Sequence, residues 1–431
     1  MKYKKHIFFT LISLVIVDSF RWLSYGGFLN VDSSTYIASF LTYISIFFLI
    51  KIALNSDWKK NTPMSIQNLL KFWIGLNVLN FVRSFFLAED YWDYKYIFFN
   101  AVTFSFISLV FFIGNNLQKA VIVFEFAFKY LFPFGFLLIP LTLATNEELY
   151  SRIMIPISLF ILFIPSVKFK NKVLIILVAV ISILLVFSFR SNIIKIAFST
   201  VLVLVYYFNV NYRFLRILNI SLFAIPIVLF ILAVSGSFNI FTDFSENRDF
   251  QIETKADSAE TLADDSRTFL YVEVLQSITN QGNFFIGSGY AGGYESIVIE
   301  VSEGTTHNKR YDCEVGILNI LMQSGLSGVL LYFLLLFKVS FMAINHSSNR
   351  LAKILGLYIS FRWLLSFVEE FTQYDLNFYF FWLAIGLASS NDFRSMNDKE
   401  ITTWIRGVYK KKLLFPRKIE YKNATNNNLK I

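Results

Sequence analysis

The stretch GTTHNKRYDCEVGILNILMQSGLSGVLLYFLLLF, residues 304–337, decides how the chain is read. A polar segment with a histidine and a Lys-Arg pair gives way near residue 314 to an apolar run. The run is long enough to cross a hydrocarbon core of about 30 Å. Working outward, such runs recur about twelve times, centred on 7–23, 35–54, 68–88, 95–113, 120–143, 151–167, 172–189, 192–208, 217–236, 314–337, 353–369 and 376–390. The 431 residues are 55% hydrophobic and only 16% charged, with a mean hydropathy of +0.55, outside the range of soluble domains. The expectation is an all-α polytopic membrane protein of about twelve transmembrane helices.

The N-terminal MKYKKH followed by IFFTLISLVIVDSF has the charge order of a signal peptide, but no small-residue cleavage site follows. It reads as a first span that is retained. Alternate connections are basic: MKYKKH, DWKK, Lys119, KFKNK, NYRFLR, NHSSNRLAK and a tail containing RGVYKKKLLFPRK. The other set, VDSSTY, AEDYWDY, TNEELY and EEFTQYD, is acidic or neutral. The positive-inside rule makes the first set cytoplasmic together with both termini. The net charge of +9 is then mostly cytoplasmic anchoring, and nucleic acid drops out as a partner. Cys313 is the only cysteine and there are three histidines. That excludes an intramolecular disulfide and a multi-cysteine zinc site, and disfavours a histidine-built metal centre.

The expected organisation is a nine-helix bundle over 1–236, an extracytoplasmic loop over 237–313, three more spans over 314–390 and a basic cytoplasmic tail over 391–431. A loop of that length among short connections is functional or disordered. Its first part is polar and acidic. In DDSRTFLYVEVLQSITN, Asp264 or Asp265 is placed to cap a helix whose apolar face is Phe269, Leu270, Val272, Leu275 and Ile278. That helix suits the membrane surface or the mouth of the bundle. GNFFIGSGYAGGYES follows, with glycines at 282, 287, 289, 292 and 293. Such density permits positive φ and close backbone approach to a ligand. With no βαβ context it is not a dinucleotide fingerprint.

His6 and His346 fall on the cytoplasmic side, which leaves His307 as the imidazole for outer-face proton transfer. Arg190, in the tight turn FSFRSNII, and Arg267 lie on the same side. Guanidinium groups bind phosphate bidentately and keep their charge. The plainer readings are snorkelling for Arg190, helix-start pairing with Asp264 for Arg267, a solvated loop residue for His307, and lipid-phosphate contacts for Lys309 and Arg310.

The succession SFRSN, SRTFLYVEVLQS, GSGYAGG and HNKRYDCEVGILNILMQSGLSGVLLYF resembles the O-antigen polymerase and O-antigen ligase superfamily, the Wzy-type proteins. The resemblance spans about residues 173–340 and is one of order and topology. It implies a metal-independent, inverting glycosyltransferase of the bacterial cytoplasmic (inner) membrane that needs no cofactor. Donor and acceptor would be undecaprenyl-pyrophosphate-linked glycans, and the product O-antigen or capsular polysaccharide. A chain-length regulator and a flippase are the implied partners. Carried onto this sequence, Arg190 and Arg267 hold the pyrophosphate and His307 is the general base. Arg310, Glu314, Gly287 and Gly289 serve substrate binding.

Three other readings compete. A ligase acting on lipid A core shares the loop order. A metal-dependent polyprenyl-phosphate-sugar transferase would use an early acid such as Asp32. A lipid-linked oligosaccharide flippase would use charges within the bundle, for which Asp18, Arg21, Arg83, Glu125, Lys129, Lys195, Arg362 and Glu370 are available.

Overall fold

The computed structural model describes residues 3–25, 31–144, 147–185, 190–208, 210–234, 268–296, 309–368 and 373–407. Arg267, His307 and most of the acidic half of the long insertion lie outside these residues, as do Asp264, Asp265 and Glu370.

The described chain is mostly helical. Among the described residues seven helices are long and apolar enough to cross a membrane: Lys4–Ser24, Tyr36–Leu54, Met64–Leu87, Tyr91–Gly114, Leu117–Ala144, Tyr212–Ile231 and Gly316–Asn345. Of the other expected spans, Phe169–Leu185 and Arg190–Tyr207 are apolar helices of 17 and 18 described residues, and the rest are shorter or divided. Residues 151–167 do not form one helix. Glu147–Met154 and Ile157–Ile161 are separate pieces, because Pro156 has no N–H to continue the first. Arg350–Leu365 has 16 residues and Leu376–Ser389 has 14, the latter spanning about 21 Å at 1.5 Å per residue. Every residue of Leu376–Ser389 is buried, so it is a central strut of the bundle. Gly386 lets it approach closely, since a Cβ there would stand 2.4 Å from the Phe111 carbonyl oxygen.

The Met64–Leu87 helix shows why these helices pack as they do. Its buried residues are Ile66, Gln67, Leu70, Trp73, Asn77, Asn80 and Ser84, one stripe at three- and four-residue spacing. Phe72, Val78, Leu79, Val82 and Phe86 are exposed on the other face. In water this helix would be inside out; in lipid the polar stripe must turn inward to find hydrogen-bond partners.

The connections sort into two ends. At one end Asn61 Nδ2 donates to Asn115 O and Ser390 Oγ, both at 2.8 Å, and Trp404 packs on Phe124. At the other, Leu376 N donates to Asp18 at 3.2 Å and Lys309 reaches Asp93. The strand content of the described residues is a ribbon at this second end, pairing Tyr294 with Arg310 and Glu295 with Lys309.

Candidate functional site at the loop-covered end

The insertion contributes a helix at Thr268–Asn280. Leu270, Val274 and Ile278 are buried, and Tyr271 donates its hydroxyl to Phe367 O, so the helix packs over the bundle mouth. Val272, expected on the apolar face, is 50% exposed, and Val274 takes its place. The register differs because Glu273 is also buried, where Ser296 Oγ donates to its carboxylate at 3.1 Å.

The glycine-rich turn meets a break in the last long span. Within Gly316–Asn345, Gly325 adopts φ 63° and ψ −168°, which ends one helical segment and starts the next. A break at this depth would expose backbone groups to hydrocarbon unless protein satisfied them. The loop does so. Ser288 N and Gly289 N donate to Met322 O and Gln323 O at 2.7 and 3.1 Å, while Leu326 N and Ser327 N donate to Phe284 O and Phe285 O at 2.9 and 3.1 Å. Gly287 (φ 71°) lies so close that a Cβ would be 2.5 Å from the backbone of residues 323–325.

Three further ties hold this clasp. Arg83 donates from Nη1 to Ile286 O at 3.0 Å and from Nη2 to Gly287 O. Tyr290, fully buried, donates to Asn77 Oδ1 at 2.6 Å and lies 3.0 Å from Ser105 Oγ. Its N–H donates to Ser84 Oγ at 2.6 Å. The ribbon is anchored at Asp93, which accepts from Lys309 Nζ at 2.6 Å and Tyr311 Oη at 2.7 Å; Tyr311 also stacks on Tyr96 at 4.1 Å.

Between loop helix, ribbon and broken span lies a cluster of ionisable groups: Glu273, Tyr294, Arg310, Asp312 and Cys313. The guanidinium carbon of Arg310 is 5.9 Å from the Tyr294 ring centroid. Burial pushes Asp312 up to about 6, against the opposing pull of the Cys313 N–H, Asn319 and Arg310. Burial likewise lifts the Cys313 thiol to about 12 and raises the Tyr294 phenol. Asn319 closes the turn, accepting from Cys313 N at 2.8 Å and donating to Cys313 O at 2.5 Å. At Asp312 burial and the nearby guanidinium act in opposite senses, and burial prevails.

Of the residues singled out from sequence, Arg310, Glu314, Gly287 and Gly289 come to this end. Gly287 and Gly289 have the positive φ expected, 71° and 73°, but the close approach they permit is to the broken helix and to Ser84, not to open space. Lys309, a third of whose side chain is exposed, pairs with Asp93 at 2.6 Å. Arg190 begins the helix Arg190–Tyr207, which Asn192 ties to Ser151. Arg267 and His307 are outside the described residues, two residues from the ribbon in the case of His307.

The charges suspected of lining a transport path are held by neighbours where described: Glu125 pairs with Lys4 at 2.7 Å, Asp18 accepts from Leu376 N, and Arg362 stands 4.4 Å over the Phe381 ring. Sequence reasoning missed Asp93, Glu273, Tyr294, Asp312 and Gln323. The spacing of Asn77, Asn80 and Ser84 within an apolar run was the available signal for a polar partner on that helix face.

No family model matches the chain, and neither a curated protein nor a solved structure matches it.

Proposed function

We propose that the protein polymerises undecaprenyl-pyrophosphate-linked oligosaccharide repeat units at the outer face of a bacterial cytoplasmic membrane, with about twelve crossings and both termini cytoplasmic. The acceptor hydroxyl attacks the anomeric carbon, the bond from that carbon to pyrophosphate breaks with inversion, and His307 takes the hydroxyl proton. Arg190 and Arg267 stabilise the charge gathering on the leaving pyrophosphate, a role for which fixed guanidinium donors in a low-dielectric mouth suit better than water. The shared lipid anchor confines donor and acceptor to one plane and supplies proximity.

The observation that carries the reading is the clasp. The glycine-rich turn is bonded through its backbone into a broken apolar helix, and Lys309, two residues after His307 in sequence, pairs with Asp93 at the same end. The reading is supported by the Lys309–Arg310 strand, which follows His307 in sequence and lies at the end of the bundle that the loop helix covers.

The test is the length profile of surface glycan and lipid-linked intermediates in cells lacking the gene. Acceptors capped by a single repeat unit are expected. Long chains stranded on the polyprenyl carrier would identify a ligase instead, and repeat units trapped on the cytoplasmic face a flippase.

A further inference from the structure

Four apolar helices meet at the end of the bundle opposite the clasp. Arg190–Tyr207 and Gly316–Asn345 finish there, while Tyr212–Val234 and Arg350–Leu365 begin there. Their ends are tied together: Tyr212 donates its hydroxyl to Asn345 Oδ1, and Arg350 Nη1 reaches Tyr206 O at 3.5 Å. Asn349 donates to Phe393 O and Met396 O, which joins the same end to the short helices that follow. Three cations gather on the two tyrosines. The guanidinium carbon of Arg216 is 4.9 Å from the Tyr212 ring centroid and Lys353 Nζ is 5.7 Å from it. Arg350, one helical turn before Lys353, has its guanidinium carbon 5.9 Å from the Tyr206 ring centroid.

None of these four helices carries a carboxylate. The adjoining short helices, Asn391–Ser395 and Asp398–Arg406, carry Asp392, Asp398 and Glu400, which their own Arg394, Lys399 and Arg406 match. Asp398 engages Arg350 at 3.7 Å, and Glu400 accepts from Asn397 N at 2.8 Å. Arg216, Lys353 and the exposed Arg213, one turn before Arg216, have no carboxylate partner among the described residues. Arg216 is also preorganised. Its Nε donates to Asn345 Oδ1 at 2.9 Å and its Nη2 to Tyr212 Oη at 2.7 Å, which fixes the guanidinium and leaves further N–H donors for a phosphate. The setting decides what kind of anion fits. Tyr212 and Asn345 are terminal residues of helices long and apolar enough to cross a membrane, the level at which head groups lie. Phe214 and Ile217, beside Arg216 in sequence, are 51% and 64% exposed. A ligand that meets both surfaces has an anionic head and a hydrocarbon tail. The ammonium of a zwitterionic head group would be repelled by the same cations.

We propose that Arg216 and Lys353, flanked by Arg213 and Arg350, bind the phosphodiester of an anionic phospholipid whose acyl chains lie along Phe214 and Ile217. The site goes beyond the polymerase reading and does not rest on it, since it involves no glycan and lies away from the clasp. It differs from the general attraction of basic loops to a membrane surface, because it is built where two helices distant in sequence share the Tyr212 ring.

The test uses the full-length protein, delipidated in detergent, and native mass spectrometry of its complexes with phosphatidylglycerol, with phosphatidylcholine of the same acyl chains, and with water-soluble glycerophosphoglycerol. Phosphatidylglycerol is expected to bind about tenfold or more tighter than phosphatidylcholine, and the soluble head group far more weakly than either whole lipid's anionic form. Lys353→Gln and Arg216→Gln each weaken phosphatidylglycerol binding about fivefold, the worth of one cation near an anionic head group. Lys353 makes no hydrogen bond among the described residues, so its variant keeps the fold and decides the matter if Arg216→Gln does not fold. Replacing Lys59 and Lys60 together by Gln removes two exposed cations at the same end of the bundle and leaves binding unchanged. Equal binding of the two lipids overturns the proposal, as does unchanged binding in Lys353→Gln. An equal loss in the Lys59 and Lys60 variant overturns it in favour of diffuse surface charge. Glycerophosphoglycerol binding as tightly as the lipid overturns it in favour of a site for a free phosphodiester.

Discussion

Replacing Gly325 by alanine should evict the glycine-rich loop from the membrane helix without unfolding the bundle. An alanine Cβ would lie 2.4 Å from Phe285 C and 2.5 Å from the nitrogens of Ile286 and Gly287, backbone atoms that cannot rotate away. The φ of 63° with ψ of −168° is itself glycine territory and costs another residue about 1–3 kcal/mol. Alanine favours the right-handed helical region, where the N–H groups of 326 and 327 return to the carbonyls of 322 and 323. Those are the carbonyls that now hold Ser288 and Gly289. The helix heals and the loop loses its seat. A penalty of about 3 kcal/mol shifts the clasped-to-open balance by roughly a hundredfold. The single cysteine reports the change. Cys313 is 2% exposed and its thiol is pushed up to about 12, so the wild-type protein should react slowly with maleimide. Gly325→Ala in intact membranes should label on the order of a hundredfold faster where opening precedes reaction. Labelling at the wild-type rate, with the chain still membrane-inserted, would refute the clasp.

Lys309→Met strands the Asp93 carboxylate, and because Lys309 is itself 31% exposed the loss should be about 1–3 kcal/mol in thermal melting, partly restored by adding Asp93→Asn. Asp312 gives a pH dependence of definite sign. Its carboxyl is raised from 3.8 to about 6 in the fold, so the folded chain holds the proton more tightly and this group's contribution falls as pH rises from about 4 to about 6. Asp312→Asn removes that slope, and the variant-minus-wild-type difference in melting should grow across this window and level off above it, worth at most about 3 kcal/mol. A flat difference across pH 4–7 would contradict it. Tyr290→Phe leaves Asn77 Oδ1 without its 2.6 Å donor in a buried site and should lower stability by about 1–3 kcal/mol in chemical denaturation.

The membrane character was legible because it rests on run length and composition, which lipid thickness constrains directly. The number of crossings was less so. A window over 151–167 sees apolar residues but not that Pro156 divides them, and the 14-residue strut at Leu376–Ser389 is apolar because protein surrounds it. The glycines at 287 and 289 announced their positive φ, yet what they approach depends on Gly325, thirty-odd residues later, and on tertiary pairing that local sequence does not encode. The loop helix was legible in type but not in register. Glu273 is buried against Ser296, so a polar residue occupies a place that an apolar template assigns elsewhere. Asp93 was visible only as one acid in AEDYWDY, and its partners Lys309 and Tyr311 are more than two hundred residues away.

The central claim is tested most directly by supplying the purified protein in proteoliposomes with synthetic undecaprenyl-pyrophosphate-linked repeat units, in the presence of a chelator and without nucleotide. The account predicts a ladder of lengthening glycans with release of undecaprenyl pyrophosphate, lost in His307→Ala. Unextended repeat units from a protein shown to be folded by slow Cys313 labelling would contradict it.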